Sequence, residues 1–133
     1  MKIAEVSEQF GLSAYTLRYY ERVGLIPYVH RNEGGIRDYD ELDLRRVDFI
    51  KCMRGAGLPV EVLIEYMELV QQGDKTIEAR KEILIEQRDL VITRLAEIQK
   101  TLDRLNYKIE VYEKALLKKE KEIVQVEELM AGD

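Results

Sequence analysis

The first apolar residues of the chain recur at the spacing of one face of a short helix. They are Ile3, Val6 and Phe10, at positions i, i+3 and i+7. Gly11 follows and predicts the end of this helix, and Ser13 is a suitable N-cap for a second one. The pattern predicts two short helices joined by a tight glycine turn, a helix-turn-helix over about residues 3 to 22.

The second of these helices has an inner and an outer face. With Leu17 turned inward, the rotation of about 100° per residue turns several neighbouring side chains outward. These are Tyr15, Arg18, Tyr19 and Arg22. Basic and aromatic side chains on one exposed face are suited to contact the phosphates and base edges of DNA.

Two short runs of strand-forming residues predict a hairpin, or wing, over about residues 26 to 39. The runs are residues 26 to 30 and 36 to 39, and the turn between them contains Asn32 and a glycine pair. We therefore expect two antiparallel strands after the helix-turn-helix.

Two further helices are predicted over about residues 41 to 72. Asp40 is a suitable N-cap for the first of them. Pro59 suits the first turn of the second, and Gly73 ends it. Helix, helix, hairpin, helix and helix together indicate one small domain over residues 1 to 73.

From about residue 76 the pattern changes to that of a coiled coil. Apolar residues alternate at spacings of four and three, and no glycine or proline occurs until Gly132. The eight seam positions are Val91, Leu95, Ile98, Leu102, Leu105, Ile109, Tyr112 and Leu116. Such a seam must be buried against a partner, so we predict a dimerisation helix over 76–123 and a short tail over 124–133. The flanking charges leave parallel and antiparallel pairing both open.

Composition limits the classes of protein that the chain can represent. Its 133 residues, 46% hydrophobic and 35% charged, fit one small folded domain with an extended appendage, and exclude a large multidomain enzyme. One cysteine and one histidine exclude a disulfide framework and the usual zinc sites, so no metal or cofactor is expected. No apolar run has the length of a membrane span or signal peptide, and we expect a cytoplasmic protein with no membrane partner.

The net charge of −5 argues against a nucleic-acid partner until its distribution is considered. Residues 1 to 56 hold nine basic and nine acidic side chains, whereas residues 57 to 133 hold twelve and seventeen. The acidic excess therefore lies in the C-terminal part, and the N-terminal part retains a basic face that DNA can contact.

Two stretches resemble the MerR family of transcription regulators in order and spacing. They are LRYYERVGLI (17–26) and GGIRDYDELDLRRVDFIKCMRGAGLPVEVL (34–63), and a long terminal helix follows them. The resemblance implies a mainly α fold, with a winged helix-turn-helix domain, a small β-hairpin wing and a long coiled-coil dimerisation helix. It also implies that the protein is not an enzyme but a homodimer whose terminal helices pair as an antiparallel coiled coil. This pairing would place the two winged domains on the two halves of a palindromic promoter site. Such a dimer bends and untwists an over-long spacer between the promoter elements, and RNA polymerase then transcribes the gene.

The resemblance places candidate DNA contacts on the second helix and the wing. They are Thr16, Arg18, Tyr19, Tyr20, Arg31, Arg37 and Tyr39. For Tyr20 and Tyr39, packing inside the domain is an equal alternative, and a packed phenol can also donate to a phosphate. Two arginines of the third helix, Arg45 and Arg46, either reach DNA or pair with nearby acids, Glu41 and Asp48.

The composition of the chain limits the kinds of inducer that it is expected to sense. Metal sensors of the family need several thiolates near the ends of the dimerisation helix, and drug sensors append a large domain; neither is expected here. Cys52 resembles the lone sensor cysteine of the subgroup that responds to aldehydes and other thiol-reactive electrophiles. Nearby Lys51 and Arg54 favour its thiolate, whereas Asp48 opposes it. The alternative is that Cys52 is a small buried hydrophobe.

Other classes of function compete with this interpretation. An enzyme with Cys52 as nucleophile and His30 as base is disfavoured, because no oxyanion motif or phosphate-binding loop accompanies them. An architectural DNA-binding or scaffold protein without an inducer stays open. So does a MerR-type regulator that senses a small ligand non-covalently.

Overall fold

The structure, a computed structural model, describes residues 1–131 and is mainly helical. Its elements are α1 (Ile3–Phe10), α2 (Ala14–Arg22), α3 (Glu41–Gly55), α4 (Val60–Gln71), a 3-10 turn (Asp74–Thr76) and α5 (Ile77–Ala131). The chain divides into two compact units, Met1–Val91 and the part from Ile92 onward. The predicted mainly α class is confirmed.

A left-handed glycine and a serine cap join α1 to α2. Gly11 has a φ of 65°, and its N–H donates to the carbonyl of Ser7. The hydroxyl oxygen of Ser13 accepts the N–H of Thr16 at 3.0 Å, which satisfies a donor at the start of α2. The helix-turn-helix forms as the sequence predicts.

The first unit has one apolar core, to which the four short helices and the wing all contribute. Its buried members are Val6, Leu17, Tyr20, Leu25, Ile26, Val29, Tyr39, Val47, Ile50, Leu58, Leu63 and Met67. A tilted contact between Phe49 and Tyr66, with ring centroids 5.7 Å apart, joins α3 to α4 beside this core. The core thus holds α2 and the wing against the α3–α4 pair.

A buried carboxylate connects the start of α3 to the wing. Asp43, which is 2% exposed, accepts the backbone N–H of Asp40 at 3.1 Å and that of His30 at 3.0 Å. The side chain of Asp40 accepts the N–H of Asp43 in return, at 2.8 Å, and so completes a capping box. This bond lowers the pKa of the Asp40 carboxyl.

The prediction of two wing strands is wrong. In the described part of the chain, the wing contains one antiparallel bridge, between Arg31 and Arg37, in place of strands over 26–30 and 36–39. A longer ladder would pair the N–H of His30 with the carbonyl of Asp38, but this N–H donates to Asp43. Side chains of α2 and α3, together with the backbone hydrogen bonds on either side of this single bridge, therefore fix the arms of the wing.

The last helix is longer than predicted. α5 continues to Ala131, whereas the sequence predicts a dimerisation helix that ends at 123 and a tail that begins at 124. The physical reason is that no helix-breaking residue occurs before Gly132, and the tail contains good helix formers. The remainder of the predicted tail, residues 132 and 133, lies outside the described residues.

The junction between α4 and α5 is fixed by polar contacts. The hydroxyl of Thr76 lies 2.6 Å from the carbonyl oxygen of Leu69, and Arg80 donates to the Thr76 hydroxyl and to the carbonyl of Gly73. Further along α5, Val91 packs against the core of the first unit. Within residues 1–131, no helix combines the length and apolar character that a membrane span requires.

Candidate nucleic-acid interface

The outer face of α2 is basic and aromatic. Tyr15 is 73% exposed and Arg18 is also exposed, while Thr16 is partly buried. The guanidinium of Arg22 lies over the ring of Tyr19, 5.4 Å from its centroid, within the range of a cation–π interaction. This face presents π surfaces and positive charge to the solvent, as the periodicity predicts.

The other two tyrosines among the candidate contacts lie in the core. Tyr20 is 7% exposed and Tyr39 is 2% exposed, so their rings pack inside the domain. The hydroxyl of Tyr39 is buried and makes no hydrogen bond within the described residues. Burial, with smaller effects from nearby charges, raises the pKa of this phenol. Packing is thus one role of both rings, and contact of their hydroxyls with DNA stays a prediction.

Both arginines of the wing meet one carboxylate of α2. Arg37 donates through Nε to Oε1 of Glu21 at 2.8 Å, and Arg31 donates through Nη2 to the same oxygen at 3.0 Å. The Glu21 side chain is only 12% exposed, whereas those of Arg31 and Arg37 are 33% and 26% exposed. Two of the three predicted DNA contacts of the wing are therefore attached to α2, the helix that carries Thr16, Arg18, Tyr19 and Tyr20.

Glu21 is the functional candidate that the sequence analysis missed. The hydrophobic periodicity predicts no contact for Glu21, because an acidic side chain beside a basic helix face is normally exposed to solvent. The signal that was present is its position in the same helix as the basic face, followed by a hairpin with an arginine in each arm. Only the folded arrangement shows that these three charges meet.

Arg45 on α3 pairs with Glu41 one turn earlier, at 2.8 Å. The two side chains are 73% and 82% exposed, so the pair lies on a solvated helix face and contributes little to stability. For Arg45 the structure thus favours the second of the two interpretations.

Cys52 is exposed on α3. In the single chain Cys52 is therefore not buried. Within the described residues, no three His, Cys, Asp or Glu side chains are grouped so as to hold a metal ion.

The apolar seam of α5 is exposed along the second unit. Leu95, Ile98, Leu105 and Tyr112 each show more than half of their surface. Because the helix continues to Ala131, the alternation of four and three also continues beyond Leu116, the last of the eight predicted seam positions. Its further positions are Lys119, Ile123, Val126 and Met130.

Comparison with known proteins places these features in a family. Residues 1–70 match the MerR HTH family of regulatory proteins, and residues 44–107 match the MerR DNA-binding family. The HTH-type transcriptional regulator AdhR of Bacillus subtilis is 62% identical over 92 residues, which cover 69% of this chain and 66% of the relative.

Solved structures agree with the sequence matches. A MerR family transcriptional regulator from Listeria monocytogenes has a TM-score of 0.84 at 46% identity, covering 92% of this chain and 93% of that one. HiNmlR, a MerR family regulator that lacks the sensor domain and was crystallised bound to promoter DNA, has a TM-score of 0.78 at 36% identity, covering 86% and 90%. The chain therefore belongs to the MerR family of helix-turn-helix regulatory proteins and is a DNA-binding transcription regulator similar to AdhR and HiNmlR.

Proposed function

We propose that two copies of the chain, paired along α5, bind a palindromic promoter site and activate transcription by distorting an over-long spacer. The observation that carries the proposal is the exposed basic and aromatic face of α2, beside which the wing arginines are attached. In this arrangement α2 enters the major groove, and the wing contacts the adjacent phosphates. The site of action is the cytoplasm, where promoter DNA and RNA polymerase are present.

Pairing of two copies follows from the chemistry of α5. Its seam holds apolar side chains that are exposed on a single helix, and a second copy offers the same seam for burial. Two binding units on one dimer also multiply two individually weak affinities and require a fixed spacing of the half-sites. Bending or untwisting the spacer between them is a form of indirect readout.

DNA binding is tested with a pair of arginine variants. Arg18→Ala removes an exposed cation from the α2 face, whereas Arg45→Ala removes an exposed cation that is paired on α3. We expect Arg18→Ala to weaken promoter binding about tenfold or more and to lower the salt dependence by about one counterion. Arg45→Ala should bind within about twofold of the unchanged protein. Equal losses in the two variants would contradict the assignment of the α2 face.

For the signal, we propose that Cys52 reacts with an aldehyde or a related electrophile. Its exposure on α3 supports the proposal, because a reagent can reach the sulfur without unfolding of the domain. When the thiolate adds to an aldehyde carbon, an S–C bond forms, the C=O π bond breaks, and the oxygen takes up a proton. The product is a hemithioacetal, and the addition requires no further oxidant or reductant.

The signal is tested by transcription from a long-spacer promoter. With the unchanged protein we expect an aldehyde to raise transcription, and with Cys52→Ser we expect normal promoter binding and no induction. Full induction of the Cys52→Ser variant would favour a regulator that senses a non-covalent ligand. A promoter that responds to neither the protein nor the aldehyde would favour an architectural DNA-binding protein.

A further inference from the structure

The wing places two like charges opposite each other. The bridge between Arg31 and Arg37 is flanked by hydrogen bonds from the Asn32 N–H to Ile36, at 2.9 Å, and from the Asp38 N–H to a carbonyl in the first arm, at 2.7 Å. Residues at such a non-hydrogen-bonded position lie particularly close together. Directly opposed like charges destabilise a strand pair. The repulsion between Arg31 and Arg37 must therefore be offset by a negative charge nearby.

The carboxylate of Glu21 meets both guanidinium groups. Its Oε1 accepts from Arg37 at 2.8 Å and from Arg31 at 3.0 Å, and Oε2 lies 3.3 Å from Arg31 Nη2. Oε2 also accepts the backbone N–H of Val29, in the first arm of the wing, at 3.3 Å. A charged acceptor makes each of these bonds stronger than a neutral one would. One side chain of α2 thus holds both arms of the wing.

The cluster of Glu21, Arg31 and Arg37 keeps a positive charge. Two guanidinium groups and one carboxylate sum to one positive charge. The bond from Arg37 engages Nε, so the N–H groups of its terminal nitrogens can still donate to another acceptor. The contact with Glu21 therefore orients the arginines without removing them as phosphate ligands.

We propose that Glu21 is a positioning residue that sets the distance between the wing and α2, so that DNA meets both as one surface. The DNA part of this inference rests on the proposed function; the attachment of the wing does not. Simple electrostatics makes the opposite prediction, since an acid beside a DNA-binding face repels phosphate and its loss should tighten binding. Whether the loss of the Glu21 charge weakens or tightens DNA binding therefore decides between a positioning role and simple charge repulsion.

The test compares Glu21→Gln with Glu8→Gln. Glu8 lies exposed on α1, and its replacement removes the same negative charge from the same unit. We expect Glu21→Gln to bind promoter DNA about tenfold more weakly, because its wing is no longer fixed, and Glu8→Gln to bind equally well or slightly more tightly. Binding by Glu21→Gln that is as tight as that of Glu8→Gln would overturn the proposal.

Amide hydrogen exchange of the free protein tests the attachment without DNA. In Glu21→Gln we expect exchange at Val29, Asn32 and Asp38 to rise about tenfold or more, while amides of α4 keep their protection. Unchanged exchange at the three wing amides would overturn the proposal. If unchanged protein failed to select any DNA, the proposed function would fail, whereas this exchange measurement would still decide the role of Glu21.

A double variant addresses the repulsion itself and any loss of folding. In Glu21→Gln the two arginines repel each other, so the added change Arg31→Gln should restore part of the protection at Asn32. A role of Glu21 in packing alone would give no such rescue. If both the single and the double variant lost their helical circular dichroism, a role limited to the wing would be excluded.

Discussion

The leucines of α5 allow a matched test of the dimer seam. Leu105 lies on the predicted seam and Leu117 lies off it, one residue beyond Leu116, yet each is 56% exposed. Both are in α5, so replacement by alanine changes helix propensity equally and slightly. The pair therefore differs in one respect, the burial that a second copy supplies.

The expected magnitude follows from the exposed fraction of Leu105. Full burial of a leucine side chain contributes about 2 kcal/mol, so burying the exposed half contributes about 1 kcal/mol per chain. Two chains lose this contribution in a Leu105→Ala dimer, which amounts to about 2 kcal/mol, or about a 30-fold higher dissociation constant. Leu117→Ala should change the dissociation constant less than about threefold.

Sedimentation of the two variants over a range of concentrations measures these constants, and far-UV circular dichroism checks that the helix persists. Equal weakening by Leu105→Ala and Leu117→Ala would refute the assignment of the seam. So would a monomeric unchanged protein at micromolar concentration.

Two further predictions concern the winged unit. Gly11→Ala should lower the free energy of unfolding by about 1 kcal/mol, because alanine is strained at a φ of 65°. Gly55→Ala, at the last residue of α3, should instead raise the free energy of unfolding by up to about 1 kcal/mol. Thermal denaturation distinguishes the two variants, and a loss of stability in both would contradict the strain assigned to the turn at Gly11. Asp40→Ala should cost about 1 kcal/mol at pH 7 through loss of the N-cap. Since the folded-state pKa of Asp40 is lowered, the stability it adds is present above its ordinary pKa of 3.8 and is lost as the pH falls through the folded value. The difference between Asp40→Ala and unchanged protein in urea denaturation should therefore shrink below about pH 4, and a constant difference would contradict the assigned role.

Features fixed by neighbours in the sequence could be predicted. The glycine turn at Gly11 and the caps at Ser13 and Asp40 depend on residues within one helical turn, and each forms as predicted. The spacing of the α5 seam depends only on the periodicity of its apolar residues, so the sequence predicts it. Burial of this seam requires a second copy of the chain. Local signals therefore placed the helices and their faces.

Features fixed by distant residues could not be predicted. The wing appears in the sequence as two strands, but acids of α2 and α3 take up its polar groups, and a single bridge results. Similarly, nothing local shows that Tyr20 and Tyr39 turn into the core or that Cys52 stays outside it. The predicted end of α5 at 123 is wrong for a different reason: no helix breaker occurs before Gly132, and the helix continues to Ala131.

We expect a dimer of this chain to contact DNA through two copies of the α2 face. Affinity selection of the unchanged protein on random duplex DNA tests this most directly, with the number of chains per bound duplex measured on the enriched sequences. We expect an inverted repeat whose half-sites lie a whole number of helical turns apart, with two chains bound to each duplex. Enrichment of no sequence, or of a single half-site bound by one chain, would contradict it.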